Sequence, residues 1–339
     1  MINPGQPTTA TSSPGTDTIA PAGTDAVVPF HVEALDARGR SVLLGDAIDA
    51  ILRRHDYPEP VARLLGEMAV LTVLLGTSLK FKGKFIAQAQ TDGPVSLLVV
   101  DFSTPDAMRA YARYNAEAVA AAVDAGKADP EDLLGKGVLA LTVDQGNYMQ
   151  RYQGVVSLDG TSLEEIARNY FRQSEQLPTE VRLAVGRLHT RDETGAVKAT
   201  WRAGGLLAQF LPESEDRIRQ RDLHPGDAPE GVELPDVDDD DAWEEVKALI
   251  GTIDDDELLD TDIGPHGLLY RLFHERGVRV YDTQQVRDVC SCSDEKLDQL
   301  LKSMSQDERD DAVENGRITV TCEFCSTVRV FNPDDYRTA

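Results

Sequence analysis

Apolar and polar residues alternate in paired short runs between residues 85 and 201, a pattern that predicts β-hairpins. Turn-forming residues separate the two runs of the first pair (Thr91-Asp92-Gly93-Pro94) and of the second pair (Asp144-Gln145-Gly146-Asn147). Three hairpins are therefore predicted, joining residues 85–89 with 95–100, 138–143 with 152–158, and 182–188 with 196–201.

Other segments place apolar residues three and four positions apart, which predicts helices over residues 44–54, 60–79 and 162–173. Thr161 and Glu164 have capping-box spacing and mark the predicted start of the third helix. Hairpins clustered between helices are typical of an α+β fold rather than of repeated β-α-β units. Residues 31–212 are accordingly predicted to form one mixed core domain of helices and hairpins, without internal repeats.

Two amphipathic helices are predicted further along the chain, over residues 242–250 and 265–275. The first carries Trp243 and Val246 on its apolar face, and the second carries Leu272. Each apolar face must be covered, in the simplest case by permanent docking on the core domain.

A small C-terminal domain is predicted over residues 278–339. Ser293 caps one short helix, Ser305 and Glu308 form a capping box on a second, and Gly316 ends that second helix. Two short strands follow, over residues 318–321 and 328–330. So few apolar residues cannot stabilise a domain of this size alone, and a metal or a covalent staple is expected.

Charge is distributed unevenly along the 339 residues, which hold 59 acidic and 34 basic side chains for a net charge of −25. Residues 31–212 have a net charge of −3, whereas residues 213–260 have −15. The latter stretch, with its prolines and repeated aspartates, has the composition of a self-repelling linker. Four parts are therefore predicted: a disordered tail (1–30), the core domain (31–212), an acidic metastable linker with amphipathic helices (213–277) and the C-terminal domain (278–339).

The same charge makes nucleic acid and membrane surfaces unexpected partners, because it repels phosphate groups. The longest apolar run, residues 68–79, has only 12 residues and is too short to span a bilayer. The N-terminal residues lack the basic and apolar regions of a secretory signal. A cytoplasmic location is therefore expected, and in that reducing compartment clustered cysteines more often bind metal or react with oxidants than form permanent disulfides.

All four cysteines lie in the last 50 residues, as Cys290-Ser291-Cys292 and, after 29 further residues, Cys322-Glu323-Phe324-Cys325. A CxxC motif at a hairpin turn is typical of a zinc knuckle, and residues i and i+2 of an extended segment point to the same side. We predict that Cys290, Cys292, Cys322 and Cys325 bind one zinc ion. The alternatives are four unrelated buried cysteines and a thioredoxin-like redox site, which requires a CxxC motif at the start of a helix.

The energies are compatible with a redox switch as well as with a purely structural metal. Zinc contributes about 10–16 kcal/mol of apparent folding free energy in small domains. A disulfide within either cysteine pair closes a loop of three or four residues and contributes only about 1.5–2 kcal/mol. Oxidation would therefore unfold the C-terminal domain, and unfolding could spread into the neighbouring acidic linker.

Several segments, together with the cysteines, resemble the heat shock protein 33 family of redox-regulated bacterial chaperones. The CxC and CxxC motifs with about 30 residues between them are that family's signature. The other matching segments, in the family's order, are His55-Asp-Tyr-Pro-Glu-Pro-Val61, Leu79-Lys-Phe-Lys-Gly83, Asp92-Gly-Pro94, Tyr152-Gln-Gly-Val-Val156, Ser174-Glu-Gln-Leu-Pro-Thr179 and Leu269-Tyr-Arg-Leu-Phe-His274. The resemblance covers residues 30 to 335. The region from Glu213 to Asp241 is longer and more acidic than the family pattern.

This resemblance implies a holdase chaperone that works without ATP and is not an enzyme. It implies that the reduced, zinc-bound form is inactive and that oxidation forms the disulfides Cys290–Cys292 and Cys322–Cys325. Zinc then leaves, the linker unfolds, and the exposed apolar surface of a homodimer binds unfolding client proteins.

The sequence leaves two other functions open. One is a thiol-disulfide oxidoreductase, and the other is a zinc-ribbon adaptor whose acidic arm recruits a basic partner. The sequence gives little support for an enzymatic function. The segment Gly135-Lys-Gly-Val-Leu-Ala140 imitates a dinucleotide fingerprint but precedes a predicted strand instead of a helix. The six histidines are scattered, and His274 is expected to be a packed or interfacial residue rather than a metal ligand because four thiolates already complete a zinc shell.

Overall fold

The computed structural model describes residues 23–78, 82–146, 151–191, 195–211 and 241–336. Most of the predicted disordered tail, the last residue of the predicted core domain (212) and the first part of the predicted linker (213–240) lie outside these ranges. Strand β1 (Ala26–Val32) begins within the segment 1–30 that was predicted to be a disordered tail. The last residues of that segment therefore belong to the folded core. The strand was not predicted because most of its side chains are buried irrespective of the face on which they lie, which removes the apolar-polar alternation.

The described strands of sheet A all pair antiparallel. Its strands are β1, β2 (Ala37–Leu44), β8 (Thr179–Arg191), β9 (Val197–Phe210), β10 (Arg279–Val280) and β11 (Gln284–Gln285). They lie in the order β10-β1-β2-β9-β8, with β11 also paired to β1. The hairpin β8–β9 confirms the third predicted pair, but both strands are longer than predicted.

Sheet B lies on the other side of the core. Its strands are β3 (Lys84–Thr91), β4 (Val95–Ser103), β5 (Ala107–Tyr114), β6 (Lys136–Asp144), β7 (Tyr152–Asp159) and β12 (Arg287–Asp288). They lie in the order β12-β5-β4-β3-β6-β7, and β12 is parallel to β5. The pairs β3–β4 and β6–β7 confirm the first two predicted hairpins, although Asn147 of the second turn lies outside the described residues.

Helix α2 (Glu59–Gly76) lies between the two sheets and is buried along most of its length. Gly66 and Gly76 permit the close packing, since a Cβ atom would lie 2.9 Å from Val185 of sheet A or 2.6 Å from Phe102 of sheet B. The other helices of the core are α1 (Asp46–Arg54), α3 (Ala116–Asp124), α4 (Pro130–Leu134) and α5 (Leu163–Ser174). Within the described ranges, no helix has the length and apolar character needed to cross a bilayer.

The start of α5 differs from the prediction by one residue. Ser162, rather than Thr161, is the N-cap, and its hydroxyl accepts a hydrogen bond from the Glu165 amide at 3.2 Å. Glu164 instead accepts a hydrogen bond from the Leu183 amide at 2.7 Å, which joins the helix to strand β8. The capping-box assignment was wrong because Glu164 has a tertiary partner that local spacing does not reveal.

Three helices cover the outer face of sheet A: α6 (Asp241–Ile250), α7 (Asp255–Leu259) and α8 (Gly264–Phe273). Trp243 and Phe273 are almost completely buried, and the Phe273 ring stacks on Phe30 of β1 with centroids 5.6 Å apart. The Trp243 ring packs on Phe210 of β9 at 5.7 Å. The amphipathic helices predicted at both places are thus present and docked, and they form a second hydrophobic core with sheet A.

The chain ends in a small unit that contains α9 (Asp294–Ser303), α10 (Gln306–Asp311) and a sheet of β13 (Val313–Glu314), β14 (Arg317–Thr321) and β15 (Val328–Phe331). Ser293 caps α9, and Ser305 with Glu308 forms the predicted capping box on α10. Gly316 does not end that helix, which stops at Asp311. Gly316 lies instead in the turn between β13 and β14, and its φ angle of 75° favours glycine because glycine has no Cβ atom.

Helix α2 also carries an acid whose ionisation is expected to affect stability. Burial, with contributions from the carboxylates of Glu164, Glu131 and Asp255, raises the pKa of Glu67 from its ordinary 4.5 to about 8. A carboxyl group with a raised folded-state pKa binds more protons when folded, so its contribution to stability is lost as pH rises from about 4.5 to 8. Glu67→Gln should therefore stabilise the protein by about 2 kcal/mol at alkaline pH and by less in mild acid.

Thermal unfolding at about pH 6 and about pH 8.5 measures this difference. Glu59→Gln on the same helix is the control, because Glu59 is half exposed and its ion pair with Arg63 contributes little. An equal shift in Tm at both pH values for Glu67→Gln would contradict the prediction.

Candidate metal centre

The structure brings the four cysteines together. Their Sγ atoms all lie within 4.8 Å of one another, and none of the four is in a disulfide. Cys290 and Cys322 have their sulfurs 3.8 Å apart, and Cys292 and Cys325 have theirs 3.4 Å apart. Tetrahedral zinc with Zn–S bonds of about 2.3 Å requires sulfur separations of about 3.8 Å. The donor set and its spacing therefore fit a zinc ion.

A tight turn aims the CxxC sulfurs at one point. Cys322 and Cys325 lie between β14 and β15, where the Cys322 amide donates to the Thr327 carbonyl at 3.0 Å. The Ser326 amide donates to the Cys322 carbonyl at 2.8 Å, and Ser326 adopts a left-handed conformation with φ of 54°. The CxxC motif thus lies in a tight turn between two strands, where the sequence predicted it.

The thiols perturb one another strongly. Burial and hydrogen bonds shared with the neighbouring sulfurs raise the pKa of Cys292 to about 12, and burial raises the pKa of Cys322. Burial also opposes ionisation of Cys325, but hydrogen bonds with Thr327 and with the adjacent thiols lower its pKa to about 6. Four adjacent thiolates repel each other, and the positive charge of a bound divalent cation offsets this repulsion and keeps the thiols deprotonated.

The hydrophobic core of this unit is small. Its buried members are Leu301, Ile318 and Tyr336, with a few partly buried residues around them. We call residues 289–336 the cysteine lobe. A core of this size is insufficient by itself, so the cysteine cluster is positioned to supply the missing stabilisation.

The cysteine lobe docks on the core domain through basic and aromatic side chains. Arg54 forms an ion pair with Asp288 and donates to the Phe324 carbonyl at 3.3 Å. His55 approaches the same carbonyl at 3.3 Å and the Ser326 hydroxyl at 3.2 Å. The turn that carries Cys322 and Cys325 therefore rests directly on α1 and on the residue that follows it.

Sequence reasoning identified the cysteines but not these docking residues. His55 and Arg54 lie some 270 positions away from Phe324 in the chain, and no local pattern connects them. In the sequence, the segment beginning at His55 stands out only because it resembles a segment of the heat shock protein 33 family. His274 is exposed at the end of α8, stacked on Tyr270 at 5.1 Å, and does not belong to the cysteine cluster. His274 was expected to be a packed or interfacial residue, and in this chain it is exposed apart from its contact with Tyr270.

Comparison with known proteins agrees with this architecture. The family model described as "Hsp33 protein" matches residues 25–332. A 33 kDa chaperonin of Caulobacter vibrioides is 45% identical over 312 residues, which is 91% of this chain and 95% of the relative. A 33 kDa chaperonin of Pseudomonas fluorescens is 40% identical over 316 residues, 92% of each chain.

Among solved structures, the fold is similar to that of a 33 kDa chaperonin from Thermotoga maritima. The TM-score is 0.67 at 20% sequence identity, and the match covers 92% of this chain and 96% of that one. The structural likeness supports the α+β fold, and the sequence matches extend across both sheets, the docked helices and the cysteine lobe. The chain belongs to the Hsp33 family of chaperones.

Proposed function

We propose that this protein is a redox-regulated holdase chaperone that binds unfolding proteins without ATP. One observation carries the proposal: four unpaired cysteine sulfurs converge in a lobe whose own hydrophobic core is small. A protein with this arrangement can be folded or unfolded by changing the oxidation state of its thiols.

In the reduced state, Cys290, Cys292, Cys322 and Cys325 would hold one zinc ion. When bound, zinc supplies a dication that keeps the four thiolates charged and clustered, which stabilises small domains by about 10–16 kcal/mol. The folded lobe keeps the turn at Phe324 against Arg54 and His55. Strand β12 then remains paired with β5, and the chain before it stays docked on sheet A.

Oxidation removes this stabilisation. For each pair, two thiolates, one peroxide molecule and two protons from solvent give one disulfide and two water molecules. Sulfur in a disulfide carries no negative charge and cannot hold the metal. The proposed disulfides, Cys290–Cys292 and Cys322–Cys325, each close a short loop worth only about 1.5–2 kcal/mol. The lobe therefore loses far more stability than it gains.

Unfolding of the lobe would then release the helices on sheet A. These helices, α6 to α8, follow the most acidic segment of the chain, and self-repulsion favours their detachment. Detachment uncovers Phe30, Leu206 and Phe210 on the sheet together with the apolar faces of the helices. Such an exposed and contiguous apolar surface binds the apolar side chains of unfolded proteins through the hydrophobic effect.

The family resemblance also implies an oligomeric state, a class of clients and a cellular compartment. The oxidised form is a homodimer, its clients are unfolding proteins, and it catalyses no reaction. Its compartment is the cytoplasm, where reducing conditions keep the thiols free until an oxidant appears. Nucleic acid and membranes are not proposed partners, because the net charge of −25 repels anionic surfaces.

One experiment tests the proposed function. The reduced, zinc-loaded protein is treated with hydrogen peroxide under mild heat, and zinc release is followed with a chromogenic chelator. In parallel, light scattering measures whether the protein suppresses aggregation of a thermally unfolding client. We expect zinc release, formation of two disulfides per chain, and suppression only after oxidation.

The alternatives give different results. A zinc-ribbon adaptor retains its metal and suppresses nothing, whereas an oxidoreductase turns over a dithiol substrate. Retention of zinc with unchanged circular dichroism after oxidation would exclude the switch. Equal suppression by the reduced and oxidised forms would exclude redox regulation.

A further inference from the structure

Arg109 lies on strand β5 of the core domain and is held in one orientation. Its register partner on β4 is Asp101, and the Arg109 Nε donates to Asp101 Oδ2 at 2.8 Å. Only 19% of the Arg109 side chain and 8% of the Asp101 side chain are exposed. A guanidinium group paired this way keeps its remaining N–H groups and its flat face available in a defined direction.

Those remaining groups point at the cysteine cluster. Arg109 Nη1 lies 3.9 Å from the Cys290 Sγ atom. The guanidinium carbon lies 3.9 Å from the centroid of the Phe324 ring, in cation–π contact. Phe324 lies between Cys322 and Cys325, so one side chain of the core domain contacts a cysteine of the CxC motif and the aromatic residue inside the CxxC motif.

The pairing of β12 with β5 produces this juxtaposition. Asp288 lies opposite Met108, and the Val289 amide donates to the Met108 carbonyl at 3.0 Å. Cys290 is the next residue and emerges beside Arg109. The contact therefore depends on a parallel strand pair between the core domain and the chain that enters the cysteine lobe.

We propose that Arg109 is a positioning residue of the redox switch. It stabilises the Cys290 thiolate and anchors the CxxC turn through Phe324, and it thereby sets the zinc affinity and the oxidation rate of the Cys290–Cys292 pair. This proposal rests on the proposed function, because it assigns a role to Arg109 in the switch described above.

The direction of the effect follows from charge. A guanidinium group stabilises a thiolate more than it stabilises an uncharged disulfide sulfur. Arg109 therefore favours the reduced, metal-holding state over the oxidised state. By linkage, formation of the disulfide weakens the attachment of the cysteine lobe to Arg109, so the docking contact and the redox state of Cys290 are coupled.

Arg109→Gln in the full-length chain tests the proposal. Loss of groups that hydrogen-bond to metal ligands costs about 10- to 100-fold in metal affinity, and we expect zinc to bind about 10-fold more weakly. Competition with a chromogenic chelator, without oxidant, measures this affinity. Peptide mass spectrometry after peroxide treatment should show faster oxidation of Cys290 and Cys292. Arg109→Lys, which keeps the charge but loses the planar fork, should be intermediate.

Arg113→Gln is the matched control. Arg113 lies four residues along the same strand, is exposed, and interacts with Ser96 rather than with the cysteine lobe. Cobalt(II) loading supplies a spectroscopic measurement, since the thiolate-to-cobalt charge-transfer band reports the electronic state of the sulfurs. The band should shift in Arg109→Gln and remain unchanged in Arg113→Gln.

Wild-type zinc affinity, oxidation rate and cobalt spectrum in Arg109→Gln would overturn the proposal. So would equal changes in Arg109→Gln and Arg113→Gln. If Arg109→Gln does not fold, Asp101→Asn keeps the guanidinium but loosens its orientation, and it should weaken zinc binding by a smaller factor. Unchanged zinc affinity in a folded Asp101→Asn protein would then overturn the proposal.

These measurements separate the two proposals. Zinc affinity and the cobalt spectrum are recorded on reduced protein without any client, so they report on Arg109 even if the wild-type protein fails to suppress aggregation. Conversely, a wild-type protein that suppresses aggregation only when oxidised supports the holdase function whatever the effect of Arg109→Gln.

Discussion

Replacement of Cys322 by serine is expected to abolish tight zinc binding and to unfold the cysteine lobe even in reducing buffer. Cys322 has its sulfur 3.8 Å from that of Cys290 and is the first residue after β14, at the start of the hairpin turn. Serine is a poor zinc ligand at neutral pH, and three remaining thiolates leave an incomplete shell. The loss should remove most of the about 10–16 kcal/mol that zinc contributes in small domains, far more than the lobe's own core can replace.

The measurements are zinc content after gel filtration and amide hydrogen exchange across residues 289–336. Exchange should become fast throughout the lobe, while the two-sheet core keeps its protection. Ser291→Ala is the control, since Ser291 lies between two cysteines and offers its carbonyl oxygen, not its hydroxyl, to Lys296. Full zinc occupancy or a protected lobe in Cys322→Ser would show that the cysteine cluster is not the stabilising element.

The second large effect is expected from Phe273→Ala in helix α8. Phe273 is completely buried, and its ring stacks on Phe30 of sheet A at a centroid distance of 5.6 Å. Truncation of a buried phenylalanine costs about 3–5 kcal/mol through lost contacts and the cavity that remains. Helices α6 to α8 form a separate core on sheet A, so this cost falls on their docking rather than on the core between the sheets.

The reduced, zinc-loaded Phe273→Ala protein should therefore suppress client aggregation without oxidation, because its helices detach more readily. Hydrogen exchange should accelerate across residues 241–273, with the cysteine lobe still protected and zinc retained. Tyr270→Ala on the same helix is the control, since that side chain is 64% exposed. If Phe273→Ala loosens the helices and the reduced protein still does not bind clients, exposure of sheet A is not the activating event.

The local pattern predicted several elements of the fold well. The hairpins β3–β4, β6–β7 and β8–β9 follow from alternating side chains and turn residues, because sheet formation between neighbouring segments requires only local information. Strands β1 and β5 were not predicted. Strand β1 is buried on most of its positions and contains Pro29, so it lacks a clear period-two pattern. Strand β5 does alternate, but its buried residues Met108, Ala110 and Ala112 include two alanines, which have a low β propensity and mark a strand only weakly.

The sequence by itself determined the donor set of the candidate metal centre. Four cysteines in CxC and CxxC motifs supply four soft donors, two from each motif at a locally fixed spacing, and this is the donor set that the predicted zinc ion requires. It also located the excess of acid, since charge can be counted along the chain without knowledge of its path.

Only the tertiary structure decided what the metal centre touches. Arg109, which is oriented by Asp101, meets Cys290, and Arg54 and His55 meet the turn at Phe324, because β12 pairs with β5 from about 180 residues away. Likewise, the partner of Phe273 could not be inferred from the helix that carries it. Contacts of this kind depend on which surfaces are brought together by long-range strand pairing, and that is a property of the whole chain rather than of any segment.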